Sequence, residues 1–596
     1  MTQSFRLDNT GLINKNKKIS FKFNGKNYFG YEGDTLASAL IANGVHLVGR
    51  SFKYHRPRGF FGAGVDEPYA IVQLSRNGET DPNVRATEQE LFEGLEAKSV
   101  NCWPSVNFDI GAINNFLKIF LPAGFYYKTF MWPKSFWYHI YEPFIRKAAG
   151  FGSASIKHDT ERYEHKYEYC DLLIAGSGPS GLASAYAAAK NGAKVILAED
   201  KPRFGGTLLT SEVNIGNQTG KEWSENIIAE LKEMPNVIVK NRSQIFGYYD
   251  HNMLVMSERV TDHLPKSNKF TPKQRLWYIR SKEVLISSGS IERPIVFGNN
   301  DTPGVVLSSA AKEYMKVYGV LVGKNPIVFT NNDSAYETAI EFKKNGIDPI
   351  VLDTRENPNS ELVNQALNMK IDVKFSHVVV AAKGYKKVKS ADIALISKNK
   401  KDLSNIQNIK CDCICVSGFW TPTIHLASQS GGKTKFKEEI DAFIPTDSKQ
   451  NETTLGSANG IFNLEETLKT SIEKSFEISN KITNKNQKIS VPQVSEQKHS
   501  KIGIDACNDD CCQRYQGIAN LTKKSKQASK KTLGQFLIFE NEICDTRYSK
   551  SCGGISENNE NVWDELPKPY LRAIFDSPSK TIPDLSNDQK LQTWIK

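Results

Sequence analysis

Gly176, Gly178 and Gly181 follow one another as G-x-G-x-x-G, with Ser177, Pro179 and Ser180 between and beside them. The pattern carries chemistry when it joins a buried strand to a helix, and CDLLIAGSGPSGLASAYAAAKNGAKVILAED (170 to 200) reads as strand, glycine turn, Ala-rich helix and second strand. Gly176 permits the tight turn, Gly178 lets the backbone approach a pyrophosphate, and Gly181 lets helix and strand close on each other. The helix N-terminus offers N–H groups and positive potential to phosphates. Glu199, followed by Asp200, ends the second strand, where an acid accepts hydrogen bonds from an adenosine ribose. Its charge repels a 2′-phosphate and so favours NAD or FAD over NADP, while Arg203 nearby acts against that preference. RFGGTLL (203 to 209) and VLISSGSIERP (284 to 294) are expected to bring Gly206, Thr207, Ser288 and Gly289 back to the crevice at the carboxyl ends of the strands.

A second strand, turn, helix and strand runs from about 323 to 353, but Asn331, Asn332 and Asp333 replace the glycines, so the usual close approach of a pyrophosphate is not expected there. TLGSANGIF (454 to 462) lacks the Gly-Asp that flavoproteins of this type carry, which favours NAD over FAD as the resident ligand. A third segment, RGFFGAGVDEPYAIVQL (58 to 74), has the length and glycine pattern of a ferredoxin cluster loop and no cysteine. Gly62, Glu67 and Ala70 fall at three ligand positions, and the fourth falls near Ala86 or Thr87. An iron–sulfur centre needs thiolates, so none forms there.

No catalytic acid, base or nucleophile and no metal site emerges from the remaining residues. Cys411, Cys413 and Cys415 alternate, sit on one side of a strand and read as buried thiols. Cys507, Cys511, Cys512, Cys544 and Cys552 fit no common metal spacing. His55 reads as a surface histidine and His425 as a satisfied core histidine.

These residues need elements to hold them. KISFKFNGKNYFGY (18 to 31) alternates about Asn24-Gly25 as a tight hairpin, and Asp34 or Thr35 caps a short helix ending near Asn43-Gly44. With the loop and the strand after it, this order resembles the β-grasp fold of plant-type ferredoxins. The fold expected is α/β: a flavoprotein-like fold of two dinucleotide-binding units, the second Rossmann-type unit inserted in the first, preceded by a cysteine-less β-grasp domain. The boundaries are 15–100 for the β-grasp domain, 101–165 for an aromatic-rich connecting segment, and 166–482 for the dinucleotide-binding fold, with its second unit at about 320–410. A polar linker follows at 483–535 and an atypical tail at 536–596. The aromatic segment reads as packing between domains, with a cofactor channel or a subunit interface as the alternatives.

At 596 residues the chain is long enough for three or four domains at about 150 residues each. Its net charge of +11 lies largely in Lys/Asn-rich stretches rather than on a face interleaved with aromatics, which speaks against a nucleic-acid partner. No run is long and apolar enough to span a membrane, and ten scattered cysteines form no disulfide framework, so a cytoplasmic, reducing setting is expected.

Taken together, GDTLASALIANGVHLVGRSFKYHRPRG (33 to 59), AGFYYKTFMWP (123 to 133), GSGPSGL (176 to 182), IERPIVFGNNDTPGV (291 to 305), VFTNND (328 to 333) and SGFWTPTIHL (417 to 426) resemble the alpha subunits of heterotetrameric sarcosine oxidase. The resemblance implies that Gly176, Gly178, Gly181 and Glu199 hold NAD, with FAD and FMN carried mainly by a beta subunit. Gamma and delta subunits complete the assembly, and this chain acts as scaffold. It also implies a following folate-binding domain. FLIFENEI (536 to 543) resembles a degraded copy of the segment before that domain, so a truncation or frameshift near Cys544 is expected, leaving tetrahydrofolate without a recognised site here. The rival readings are a self-sufficient FAD enzyme of the opine-oxidase or cyanide-forming type and an idle interaction protein.

Overall fold

The computed structural model describes residues 3–495 except 77–78, 122–123, 125–128, 131, 266–269, 397–402 and 484–489, together with residues 538–539 and 542–543. Two units are distinguished, residues 1–515 and 516–596; in the second, Ile538–Phe539 pairs antiparallel with Glu542–Ile543. Most of the stretch read as a linker, the remainder of the tail and Cys507, Cys511, Cys512, Cys544 and Cys552 lie outside the described residues.

The N-terminal sheet has five strands: β1 (Asn14–Phe23), β2 (Lys26–Glu32), β3 (Ile71–Arg76), β4 (Glu79–Arg85) and β5 (Leu95–Ser99), in the order β2-β1-β5-β3-β4. Asn24 and Gly25 have φ of 50° and 76°, the left-handed pair that matches hairpin twist. Helix α1 (Leu36–Ala42) is capped reciprocally: Ser38 N–H donates to the Thr35 hydroxyl and Thr35 N–H to the Ser38 hydroxyl. Every α1 side chain is buried beneath the sheet.

Next in the chain come α2 (Glu142–Ala149), β6 (Tyr163–Ala175), α3 (Pro179–Lys190), β7 (Val195–Ala198), α4 (Gly220–Glu233), β8 (Val237–Lys240), β9 (Ser243–Tyr249), β10 (Met253–Arg259) and β11 (Gln274–Ile286). Their sheet runs β8-β7-β6-β11-β10-β9, parallel from β8 to β11. A second, wholly parallel sheet contains β12 (Val305–Leu307), β13 (Pro326–Thr330), β14 (Ile350–Asp353), β15 (Asp372–Phe375) and β16 (Cys413–Ser417), in the order β12-β16-β13-β14-β15. Glu452–Thr454 then returns to the first sheet beside β11, so the second unit is an insertion in the first. The chain continues into α6 (Leu464–Thr483); α5 (Ser334–Lys344) is the helix of the second unit.

One core cluster joins the β-grasp domain to the second dinucleotide-binding unit, from Ile13 to Val416. Tyr314, fully buried, donates to Gly62 O at 3.0 Å, and Leu307 N–H donates to Phe61 O at 2.8 Å. Separate clusters cover the two faces of the first sheet.

Four expectations change. Among its described residues the aromatic segment is not packed between domains: Trp103, Phe116, Phe120, Trp132, Tyr138 and Phe144 are all exposed. His55 is buried instead, its Nδ1 2.7 Å from Asp109 Oδ2 and its Nε2 3.0 Å from Ala148 O, because it fastens the aromatic segment to the loop after α1. His425 is exposed at the start of a five-residue helix, His425–Gln429. Within the stretch read as linker, Val494–Ser495 pairs antiparallel with Asn214–Ile215, since Val494 packs on the apolar cluster around Ile215.

Candidate functional site

β6 and α3 place the glycine motif as its spacing requires. Gly176 has φ +101°, and a Cβ there would lie 2.3 Å from Ser287 O at the end of β11. A Cβ on Gly181 would stand 1.9 Å from Gly176 O, so only glycine lets the first turn of α3 sit this close to the strand end. Gly178 differs: a Cβ there would meet nothing within 4 Å. It is the N-cap of α3, offers no capping side chain, and is followed by Pro179 in the first turn. The α3 N-terminus therefore opens onto empty space beside the backbone, the shape and polarity that take a phosphate.

The other predicted residues divide into two groups. Gly205 N–H donates to Ser177 O at 3.1 Å, and a Cβ on Gly206 would lie 2.9 Å from Gly178 Cα, so Gly206 and the exposed Thr207 form the opposite lip of this space. Gly289 has φ +78°, and exposed Ser288 donates through Oγ to Thr423 O at 3.0 Å. Ser180 turns its side chain inward, 3.2 Å from Ser287 Oγ and 2.8 Å from Ser471 Oγ, and so ties α3 to β11 and α6 rather than facing a ligand.

Glu199 is buried, and its Oε2 accepts from Ser177 N–H at 2.9 Å and Ser177 Oγ–H at 2.6 Å, while Oε1 accepts from Lys201 N–H at 3.0 Å. Burial pushes its carboxyl up to about 8, the neighbouring Asp200 adds to that, and the Ser177 and Lys201 donors pull against it. Arg203 departs from its expected place. Its guanidinium donates to Leu12 O and Gly33 O, at 3.3 and 3.4 Å, and lies over the Tyr318 ring, so it braces the β-grasp domain.

Two features escaped the motif reading. Gly456, with φ +64°, packs its Cα against Ser180, a Cβ there reaching within 3.0 Å of Ser180 Cβ. Phe419 holds φ +79°, rare for a bulky residue, because Gly418 N–H donates to Arg293 O at 2.6 Å and Arg293 N–H to Phe419 O at 2.7 Å. The signal for both was their position just after a strand, SGF and LG in sequence.

The corresponding turn of the second unit is filled by its own side chains. Asn332 Nδ2 donates to Ser417 O and Oγ, and Arg355 pairs with Asp333 at 2.8 Å and Asp353 at 2.7 Å, all of them buried or nearly so.

The ferredoxin-like loop is filled as well. Glu67 Oε2 accepts from Phe61 and Gly62 N–H at 2.6 and 2.9 Å, and Oε1 accepts from Tyr69 and Ala70 N–H at 2.6 and 2.9 Å. Thr87 Oγ1 donates to Gly64 O, and Ala86 N–H to Ala70 O, so the fourth position is committed too. A cluster's anionic sulfurs would draw in such loop N–H groups; here a carboxylate does. The residues present do not fit an iron–sulfur cluster, and no group of three or more His, Cys, Asp or Glu could hold a metal among the described residues.

Residues 16–102 match the family model of the 2Fe-2S iron-sulfur cluster binding domain, and residues 170–462 that of the pyridine nucleotide-disulphide oxidoreductases. The alpha subunit of sarcosine oxidase from Rhizobium meliloti (strain 1021) is 43% identical over 456 residues, 76% of this chain and 45% of the relative. Over that stretch the chain is a homologue of sarcosine oxidase alpha subunits. The alpha subunit from Corynebacterium sp. (strain U-96) is 29% identical over 77% of this chain and 43% of its own length, so the chain spans about half the length of the curated relatives it matches. The crystal structure of L-proline dehydrogenase from P. horikoshii superposes with a TM-score of 0.56 at 18% identity, over 85% of this chain and 81% of that one, a likeness of fold. The fold is thus the FAD/NAD(P)-type oxidoreductase fold of two dinucleotide-binding units behind a ferredoxin-like domain. No helix among the described residues is long and apolar enough to cross a membrane.

Proposed function

We propose that this chain holds NAD between α3 and the Gly205-Gly206 turn and serves as the alpha-type subunit of a cytoplasmic sarcosine oxidase complex. In that complex sarcosine is oxidatively demethylated to glycine, with formaldehyde or methylene-tetrahydrofolate and hydrogen peroxide as the other products. The observation that carries the NAD assignment is the open space at Gly178, bounded by an uncapped helix N-terminus and by Gly206. Ser180 and Gly181 N–H groups lie in that first turn and would take the pyrophosphate. Glu199 would accept from the ribose hydroxyls, and Ser177, donating twice to Glu199, fixes that carboxylate in place. NAD itself supplies a nicotinamide ring able to carry a hydride.

Arg203 is occupied by the Leu12 and Gly33 carbonyls and the Lys201 ammonium by Glu313, so both described cations of this loop are committed elsewhere, which favours NAD over NADP. The identity to sarcosine oxidase alpha subunits supports the subunit role. FAD and FMN would reside mainly on a beta subunit, gamma and delta subunits would complete the assembly, and no residue of this chain is assigned catalysis.

Gly178→Ala tests the site. Its Cβ meets no neighbour and its φ of −67° suits alanine, so the variant should fold and melt like the parent, within about 1 kcal/mol. A methyl group beside the pyrophosphate should nevertheless remove the dinucleotide released from the purified chain by acid and read by chromatography. Full NAD content in Gly178→Ala would overturn the assignment. A flavin spectrum from the chain alone would favour the self-sufficient FAD enzyme.

A further inference from the structure

Residues 103–156 carry fifteen exposed large hydrophobic side chains, about half of those exposed among the described residues. Trp132 is 83% exposed, Phe116 and Ile119 82%, Tyr138 79% and Phe120 78%. At a usual 150–250 Å² for each aromatic, such a set offers on the order of 2,000 Å² of surface. A monomer's largest apolar patch is about 300–600 Å², and a stable interface takes roughly 800 Å² from each partner.

The exposure is not that of a loose end. Asn101 N–H donates to Gly150 O at 2.6 Å, Tyr54 Oη–H donates to Leu121 O at 2.7 Å, and the His55 and Asp109 pair clamps the segment from inside. The face is held in place before anything binds it, which lowers the ordering cost of binding.

Its charge selects the occupant. Lys118, Lys134 and Lys147 are exposed on it, whereas its two acids are committed: Asp109 is buried against His55, and Glu142 pairs with Arg146. Two copies of this chain face to face would set like charges against each other, so self-association is disfavoured. An aromatic centre with a basic rim fits a second protein chain that presents an apolar face edged with acids.

We infer that the exposed apolar side chains of residues 103–121 and 132–156 form the docking face for an acidic companion chain, the partner subunit of the complex proposed above, on which reading this inference rests. The full chain is titrated by calorimetry with the beta subunit of its own source organism. The parent and Ile406→Ser, a control on the exposed strand Leu403–Lys410, should bind alike. The triple variant Phe116→Ser, Ile119→Ser, Phe120→Ser should lose at least tenfold in affinity with NAD content unchanged. Lys134→Glu with Lys147→Glu should also weaken binding, and binding by the parent should fall with added salt.

Equal affinity of the triple variant would overturn the face while leaving the subunit reading intact. No binding by the parent would fail that reading, and the face with it. Sedimentation of the chain as a dimer, or binding to vesicles of phosphatidylcholine and phosphatidylglycerol, abolished by the triple variant, would give the face to a second copy or to lipid and refute the inference.

Discussion

Replacing Glu67 with glutamine exchanges one carboxylate oxygen for an NH2 of the same size. In the parent, each oxygen accepts from two backbone N–H groups at 2.6 to 2.9 Å, and the residue is 1% exposed. Glutamine keeps one pair and turns two N–H donors of its own toward the other. Two buried backbone donors are then orphaned, at about 1–3 kcal/mol each, or roughly 2–6 kcal/mol for the loop. At about 1.4 kcal/mol per tenfold, opening of the 58–74 loop becomes roughly 30-fold to 20,000-fold more frequent. Hydrogen exchange followed by mass spectrometry on peptides spanning 58–74 reads this directly, with peptides from α3 as the internal reference. Asp66→Asn supplies the comparison, since Asp66 accepts only from Gly64 N–H within this loop and should change exchange far less. Exchange in Glu67→Gln within threefold of the parent would show that the carboxylate does not hold the loop, and the reasoning would be wrong.

Three other outcomes are expected. Gly181→Ala forces a methyl to within 1.9 Å of Gly176 O, so unlike Gly178→Ala it should lower the melting temperature as well as remove the dinucleotide, by calorimetry about 3 kcal/mol or more. Burial holds the Glu199 carboxyl up at about 8, above its unfolded value, so the stability it contributes to the ligand-free chain is complete below about 4.5 and is lost as pH rises through 8. Ribose hydroxyls donate more strongly to the carboxylate than to the neutral acid; NAD affinity should therefore rise between about pH 6 and 8, by at most about tenfold per unit, and then level off, and Glu199→Gln should flatten that profile. Burial raises the thiols of Cys102 to about 11 and of Cys170 and Cys411 to about 12, so iodoacetamide at pH 7.5 should leave these peptides unmodified in the native chain and label them after unfolding.

How much of this was legible in the sequence depends on where the reason for each residue lies. Asn24-Gly25, the Thr35 cap and the three glycines of the motif have reasons confined to their own backbone, and their positions in the sequence matched their places in the fold. The insertion of the second unit followed from two strand, turn and helix patterns in one chain. Arg203 was misplaced because a long side chain four residues from Glu199 has more than one direction to go, and the carbonyls that took it lie about 170 and 190 positions away. His55 reads as a surface residue in the sequence because its partner Asp109 is 54 positions distant. Glu67 was placed at a ligand position of the loop, but its four bonds needed the loop's curvature. The aromatic segment has a composition common to cores and interfaces, so burial could not be read from it.

The core shared between residues 13–97 and 297–416 has a consequence for biosynthesis. A nascent chain leaves the ribosome N-terminus first, and domains generally fold in that order. Here the β-grasp sheet emerges early, yet Tyr314 and Leu307, which donate to its loop, are made more than 200 residues later. At about 5–20 residues per second that is a wait of ten seconds or more with apolar surface uncovered. The N-terminal domain is thus expected to depend on chaperones during synthesis, and to refold alone far less readily than a ferredoxin whose loop closes on its own cluster.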